Sequence, residues 1–198
     1  MSSGKTILDI SMSLDGFIAG PNVSTDQPMG RDGYILHGWL LAQKTEADMQ
    51  LVTELVESSG AVIVGGWTYT VAINGVWEQS CPFTCPAFVL CSESPPAPVE
   101  GFTFVTDGIS AILSSARSAA GVRNIWIMGG ANTAQQFLKA GLIDELHLHI
   151  APVLLGRGTR LFERMSNQVE LEKVKVISTA GATHLYYRMP TSPRQKLY

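Results

Sequence analysis

Ala61-Val62-Ile63-Val64-Gly65-Gly66-Trp67-Thr68 and Ile125-Trp126-Ile127-Met128-Gly129-Gly130-Ala131-Asn132-Thr133 are two versions of one pattern: an apolar run, a glycine pair, then residues that suit a helix start. A run without polar alternation predicts a strand buried on both faces, as in a parallel sheet. Glycine has no Cβ, so main-chain N–H groups at such a strand end lie open to a phosphate, and the helix beginning there adds the positive end of its dipole. Two such ends predict a dinucleotide laid across the edge of a sheet.

Working outward, Leu8, Ile10, Met12 and Leu14 alternate with Asp9, Ser11 and Ser13, which predicts a strand with one apolar face and a turn at Asp15-Gly16. Phe17 to Arg31 holds Gly20-Pro21-Asn22, Pro28 and Gly30 without periodicity and reads as a long surface loop of the kind that covers sites. Thr45 and Asp48 resemble a capping box ahead of Leu51, Val52, Leu55 and Val56, on a helix ending near Ser59-Gly60. Strands are predicted over Ala87 to Cys91 and Phe102 to Val105, and helices from Asp107 or Ser110 to Ala120 and around Ala134, Phe137 and Leu138 up to Gly141. Leu146, Leu148 and Ile150 alternate with His147, His149 and Ala151. A parity change between Val169, Leu171 and Val174, Val176 predicts a bulge near Glu172-Lys173, and Thr183 to Met189 forms the last strand. This order predicts an α/β fold with a mostly parallel central sheet, an antiparallel C-terminal edge hairpin and helices on both faces. A single domain is expected over residues 1–190, with a polar tail over 191–198.

The 198 residues carry a net charge of -3, with 16% charged residues and a pI near 5.8. No basic field exists to hold a nucleic acid or an acidic membrane surface. No apolar run has the length of a membrane span and the first residues lack a signal-peptide pattern, so the cytoplasm is the default expectation. Cys81, Cys85 and Cys91 read as free thiols. The chain lacks the motifs of a zinc deaminase, a Gly-x-Gly-x-x-Gly Rossmann domain and a P-loop.

With these elements in place, the chain resembles the dihydrofolate-reductase-like superfamily, in the branch of the riboflavin-biosynthesis deaminase/reductase's C-terminal reductase domain and its stand-alone bacterial relatives. The resemblance rests on Ser13-Leu14-Asp15-Gly16-Phe17-Ile18-Ala19-Gly20, Leu36-His37 with Trp39, Gly65-Gly66-Trp67-Thr68-Tyr69 with Trp77, Gly129-Gly130-Ala131, and Ile143-Asp144-Glu145-Leu146 leading to Pro152-Val153-Leu154-Leu155-Gly156. It implies a homodimer and hydride transfer from NADPH, with NADH left open, to a C=N or C=O bond of a small heterocycle. It implies cofactor contacts at Gly65, Gly66, Trp67 and Thr68; at Met128, Gly129, Gly130, Ala131, Asn132, Thr133 and Gln136; at Leu90, Cys91 and Ser92 near the adenine ribose; and at Ile18 and Ala19 near the nicotinamide. Trp39 and Leu40 are expected in the substrate pocket. Dihydrofolate reductases themselves carry a basic residue at the place of Gly66 and a carboxylate on the first helix. Tyr34 to Leu41 contains no acid, which disfavours a true dihydrofolate reductase.

Asp15 and His37 are weak candidates for a catalytic proton donor. Asp15 reads first as a turn former, and a lone histidine ahead of an apolar helix reads first as structural. His147 and His149 share a strand face, but without a third ligand they predict a solvated face or a subunit contact and no metal site. Three functions fit: reduction of a pterin- or pyrimidine-like heterocycle; reduction of 5-amino-6-(5-phosphoribosylamino)uracil, with Arg157 and Arg160 for its phosphate; or a non-catalytic nucleotide-binding module.

Overall fold

Both apolar runs become central strands of one eight-stranded sheet. A computed structural model describes residues 4–163, 165 and 168–190, so the tail expected over 191–198 lies outside the described residues. The elements are β1 (Thr6–Ser13), β2 (Phe17–Ala19), a 3-10 turn (Gly33–His37), α1 (Gly38–Leu41), α2 (Glu46–Ser58), β3 (Ser59–Gly65), α3 (Gly66–Ile73), β4 (Ala87–Leu90), β5 (Phe102–Val105), α4 (Gly108–Ala120), β6 (Asn124–Gly129), α5 (Ala131–Lys139), β7 (Glu145–Ala151), β8 (Thr159–Arg160), β9 (Glu172–Ser178) and β10 (Thr183–Arg188). Strand order is β5-β4-β3-β6-β1-β7-β10-β9. The pairings from β5 through β7 are parallel, and β10 runs antiparallel to both β7 and β9.

The two-residue period of a strand explains why the runs have no polar face. Ala61 and Ile63 pack with Ile112, Leu113 and Ala116 of α4, whereas Val62 and Val64 pack with Tyr69, Ala72 and Ile73 of α3. Likewise Ile125 and Ile127 join the first cluster, and Trp126 and Met128 the second. Burying each Val or Ile side chain stabilises by about 1.5–3 kcal/mol, so the runs hold both helical layers to the sheet. α2 starts with the expected box: Asp48 N–H donates to Thr45 Oγ1, and Thr45 N–H donates to the Asp48 carboxylate.

The structure departs from the sequence reading in four places. Phe17 to Arg31 is not loop throughout, because Phe17–Ala19 pairs with Thr159–Arg160 and buries Phe17 and Ile18. The segment Tyr34 to Leu41 divides into a 3-10 turn and one turn of α-helix. The bulge falls at Val174, since Tyr186 pairs with Lys175 and Tyr187 with Lys173. The polar face of β1 is covered, with Ser11 and Ser13 buried and Trp39 Nε1–H donating to Ser11 Oγ at 2.9 Å. Among the described residues, no helix is long and apolar enough to cross a membrane.

Candidate active site

Each glycine pair ends a strand and opens a helix. Gly65 caps α3 and Gly130 caps α5, and neither helix has a side-chain cap, which leaves first-turn N–H groups without an intrahelical partner. Thr68 and Thr133 occupy the same position, third in their helices, and each hydroxyl lies against the other motif's capping glycine. A Cβ on Gly65 would stand 2.5 Å from Thr133 Oγ1, and one on Gly130 would stand 2.9 Å from Thr68 Oγ1. The helix starts therefore interlock beside one another. Gly129 has φ +115, a conformation that side chains rarely adopt. This is a cradle of bare backbone, two helix dipoles and two hydroxyls, groups that could hold an anion.

The cradle opens on a cleft of about 1390 Å³ at the carboxyl ends of β3, β4 and β6. That exceeds the usual 300–1,000 Å³ of a small-ligand pocket and leaves room for a dinucleotide with a second molecule. The structure brings together on its wall Ile18 and Ala19, Gly65 through Thr68, Leu90 through Ser92, and Met128 with Gly130 through Thr133 and Gln136. His37 and Leu40 line it as well, from the segment next to β2. Trp67 is exposed at its lip. Val23, Thr25, Asp26, Pro28 and Met29 form another side of the wall, on the segment read from sequence as a loop of the kind that covers sites, although none of the five was singled out there. Gly129 stands just behind the wall, with its peptide to Gly130 in the cis form.

The sequence model of the RibD C-terminal domain family matches residues 5–185. The chain belongs to that family. The RibD-family chain is 30% identical to the uncharacterized protein YwjB of Bacillus subtilis over 185 residues, 92% of this chain and 97% of that protein. It is 37% identical to the riboflavin biosynthesis protein RibD of Bacillus amyloliquefaciens over 59 residues, 29% of this chain and 16% of that one. Its fold matches a Shewanella sp. PV-4 protein provisionally named for riboflavin biosynthesis, with TM-score 0.73 and 25% identity over 94% of this chain and 99% of the other. Acinetobacter baumannii RibD shares the fold, with TM-score 0.66 and 18% identity over 96% of this chain and 59% of that chain.

Two residues expected at the site of the RibD-family chain stand elsewhere. Asp15 accepts hydrogen bonds from the N–H groups of Leu155 and Gly156 at 3.0 and 2.7 Å, which ties the Asp15-Gly16 turn to the loop after β7. The Ser13 hydroxyl and these N–H groups hold its carboxyl below the usual range, so it stays ionised and has no proton to give. Trp39 lies beneath the cleft wall, its ring 4.5 Å from that of His149 and 5.1 Å from that of His184. His37 remains the titratable base on the wall, and burial together with the charge of His149 lowers its pKa.

Below Trp39 lies a buried polar chain. His149 Nε2 stands 3.1 Å from Asp9 Oδ2, His149 Nδ1 2.7 Å from His184 Nδ1, and His184 Nε2 2.9 Å from Asp48 Oδ1. Each carboxylate takes an Nε2 proton, so the two facing Nδ1 atoms share a single hydrogen. Two neutral rings would oppose lone pairs there, and two cations would oppose protons. The pair therefore holds one positive charge. Burial and the His149 charge push the His184 pKa down, against the hydrogen bond and charge of Asp48. Burial alone would raise Asp9, but the His149 charge and hydrogen bonds from His147 and His149 hold it at about 2. His147 and His149 are thus not on a solvated face: both are buried, with Asp9, Glu145 and His184 at their nitrogens.

This chain makes the protein acid-sensitive. Below about pH 6.5 the unfolded chain protonates His184 more readily than the fold does, and stability falls as the pH drops. The Asp9 contribution is complete above its unfolded pKa near 3.8 and is lost as the pH falls towards about 2. Urea unfolding at stepped pH should show stability declining from pH 6.5 to 5 at up to about 1.4 kcal/mol per unit for each proton. A flat profile over that interval would contradict the shared-proton assignment.

Proposed function

We propose that the protein is a reductase that transfers a hydride from a reduced nicotinamide dinucleotide, NADPH or NADH, to a small pterin- or pyrimidine-like heterocycle. The observation that carries this reading is the meeting of both uncapped, glycine-opened helix starts at one cleft wall. The first-turn N–H groups of α3 and α5 would hold the phosphates, Leu90 through Ser92 the adenine ribose, and Ile18 with Ala19 the nicotinamide. A reduced nicotinamide bound there supplies the hydride.

The chain's part is to orient both reactants and exclude water. The apolar wall suits exclusion, with Leu40, Leu41 and Val71 among its residues. Hydride addition to a C=N or C=O bond also needs one proton. His37 is the wall's candidate for carrying it in from water, because its depressed pKa lets it release the proton readily.

The test is a titration with NADPH and with NADH, followed by spectrophotometry of dinucleotide oxidation with pterins and aminopyrimidines as acceptors. Saturable binding and acceptor-dependent oxidation support the proposal. Binding of neither dinucleotide at millimolar concentration rejects it, and binding without turnover of any acceptor favours the nucleotide-binding module.

A second reading is reduction of 5-amino-6-(5-phosphoribosylamino)uracil, the activity in the name of a Thermotoga maritima protein of the same fold. Neither Arg157 nor Arg160 lines the cleft. Arg160 donates to the Asp15 carbonyl at 3.0 Å and covers the Phe17 ring at 4.2 Å. That weakens the case for a phosphorylated substrate.

A further inference from the structure

We infer that the cleft selects NADH over NADPH, with Glu93 as the discriminating residue; the inference rests on the reductase reading. Among the described residues, the cleft wall has no lysine and no arginine, and its charged side chains are Asp26 and Glu93. Glu93 is exposed and follows β4 by three residues. The stretch that carries it begins beside the anion cradle, because a Cβ on Gly66, the first residue of α3, would stand 3.1 Å from Cys91 Cβ. With the phosphates on the α3 start and the adenine ribose at Leu90 through Ser92, as the reductase reading has them, Glu93 is the next residue along the same wall.

The two dinucleotides differ only at the ribose 2′ position. A 2′-hydroxyl can donate a hydrogen bond to a carboxylate, and acidic residues hold that hydroxyl in NAD sites, whereas arginine accommodates the 2′-phosphate in NADP sites. A 2′-phosphate would bring up to about two further negative charges next to Glu93. Among the described residues, no cation on the wall offsets that repulsion. The side chain at Gly66, where dihydrofolate reductases carry a basic residue, is also absent. The preference comes from a repulsive group against one ligand as well as a contact to the other.

The experiment is a fluorescence titration of the wild-type protein, Glu93→Gln and Glu93→Arg with NADH and NADPH at low and high salt. The exposed position allows both substitutions without disturbing the core. Wild type is expected to bind NADH about ten-fold more tightly than NADPH or better, with the gap narrowing at high salt. Glu93→Gln should shrink the ratio, and Glu93→Arg should move it in favour of NADPH. NADPH binding as tightly as NADH, or an unchanged ratio in Glu93→Gln, overturns the selectivity and leaves the reductase reading intact. Failure of both dinucleotides to bind overturns the two together.

Discussion

Asp48→Ala is expected to lower the unfolding free energy by about 2–4 kcal/mol, the sum of a lost helix cap and a buried N–H left without its acceptor. Asp48 is fully buried and serves two structures at once. Its carboxylate accepts from the Thr45 N–H and hydroxyl at 2.7 and 2.8 Å and from His184 Nε2–H at 2.9 Å. Alanine abolishes the box that starts α2, worth about 1 kcal/mol by itself. It also leaves a buried ring N–H beside a shared charge with no carboxylate on that side. Urea denaturation of wild type and variant at pH 7 measures the difference. Thr45→Ala separates the contributions, since it removes the cap and leaves the His184 contact in place. A deficit for Asp48→Ala no larger than that of Thr45→Ala would mean that the imidazole pair needs no second carboxylate.

Gly65→Ala is expected to weaken dinucleotide binding by about ten-fold or more and to destabilise the fold by about 1–3 kcal/mol. The added carbon meets Thr133 Oγ1 at 2.5 Å and the Gly129 and Gly130 backbone at 3.3 Å. Thr133 is β-branched and helical, so its side chain has little rotamer freedom with which to yield. The start of α5 must then move away from that of α3, and the N–H groups of the two helices no longer converge. Calorimetry with the dinucleotide and thermal unfolding of the same sample give the two values. In the double variant Gly65→Ala, Thr133→Ala the stability should recover beyond additivity, because the clashing oxygen is gone, while binding stays weak. Additive effects would show that the two motifs do not press on one another.

The sheet and the cradle were legible because their signals are local. An apolar run without alternation announces burial on both faces, and a glycine pair at its end announces open backbone, whatever the rest of the chain does. The helix caps were legible for the same reason. The polar layer was not: the alternation in β1 identified Asp9 and Ser11 as one face but carried no information about what covers it, and the 3-10 turn with Trp39 of α1 does. The resemblance placed Trp39 with Leu40 in the substrate pocket, yet at that turn of the chain Leu40 faces the cleft and Trp39 faces the sheet. The imidazole pair joins β7 to β10 across 35 residues and α2 to β10 across 136. A usable clue existed in the antiparallel pairing of β7 with β10, whose register places His149 opposite His184.

The strand order also has a consequence for how the molecule comes into being. β1 sits between β6 and β7, and the contact of Lys5 with Asn124 closes a gap of 119 residues. During synthesis, Thr6–Ser13 leaves the ribosome long before either neighbour exists, and most of its backbone groups wait for more than a hundred residues to follow. Its own Asp9, Ser11 and Ser13 interrupt the apolar positions through that interval, so the polar residues that later build the buried hydrogen-bonded layer also guard the nascent strand against pairing with the wrong chain.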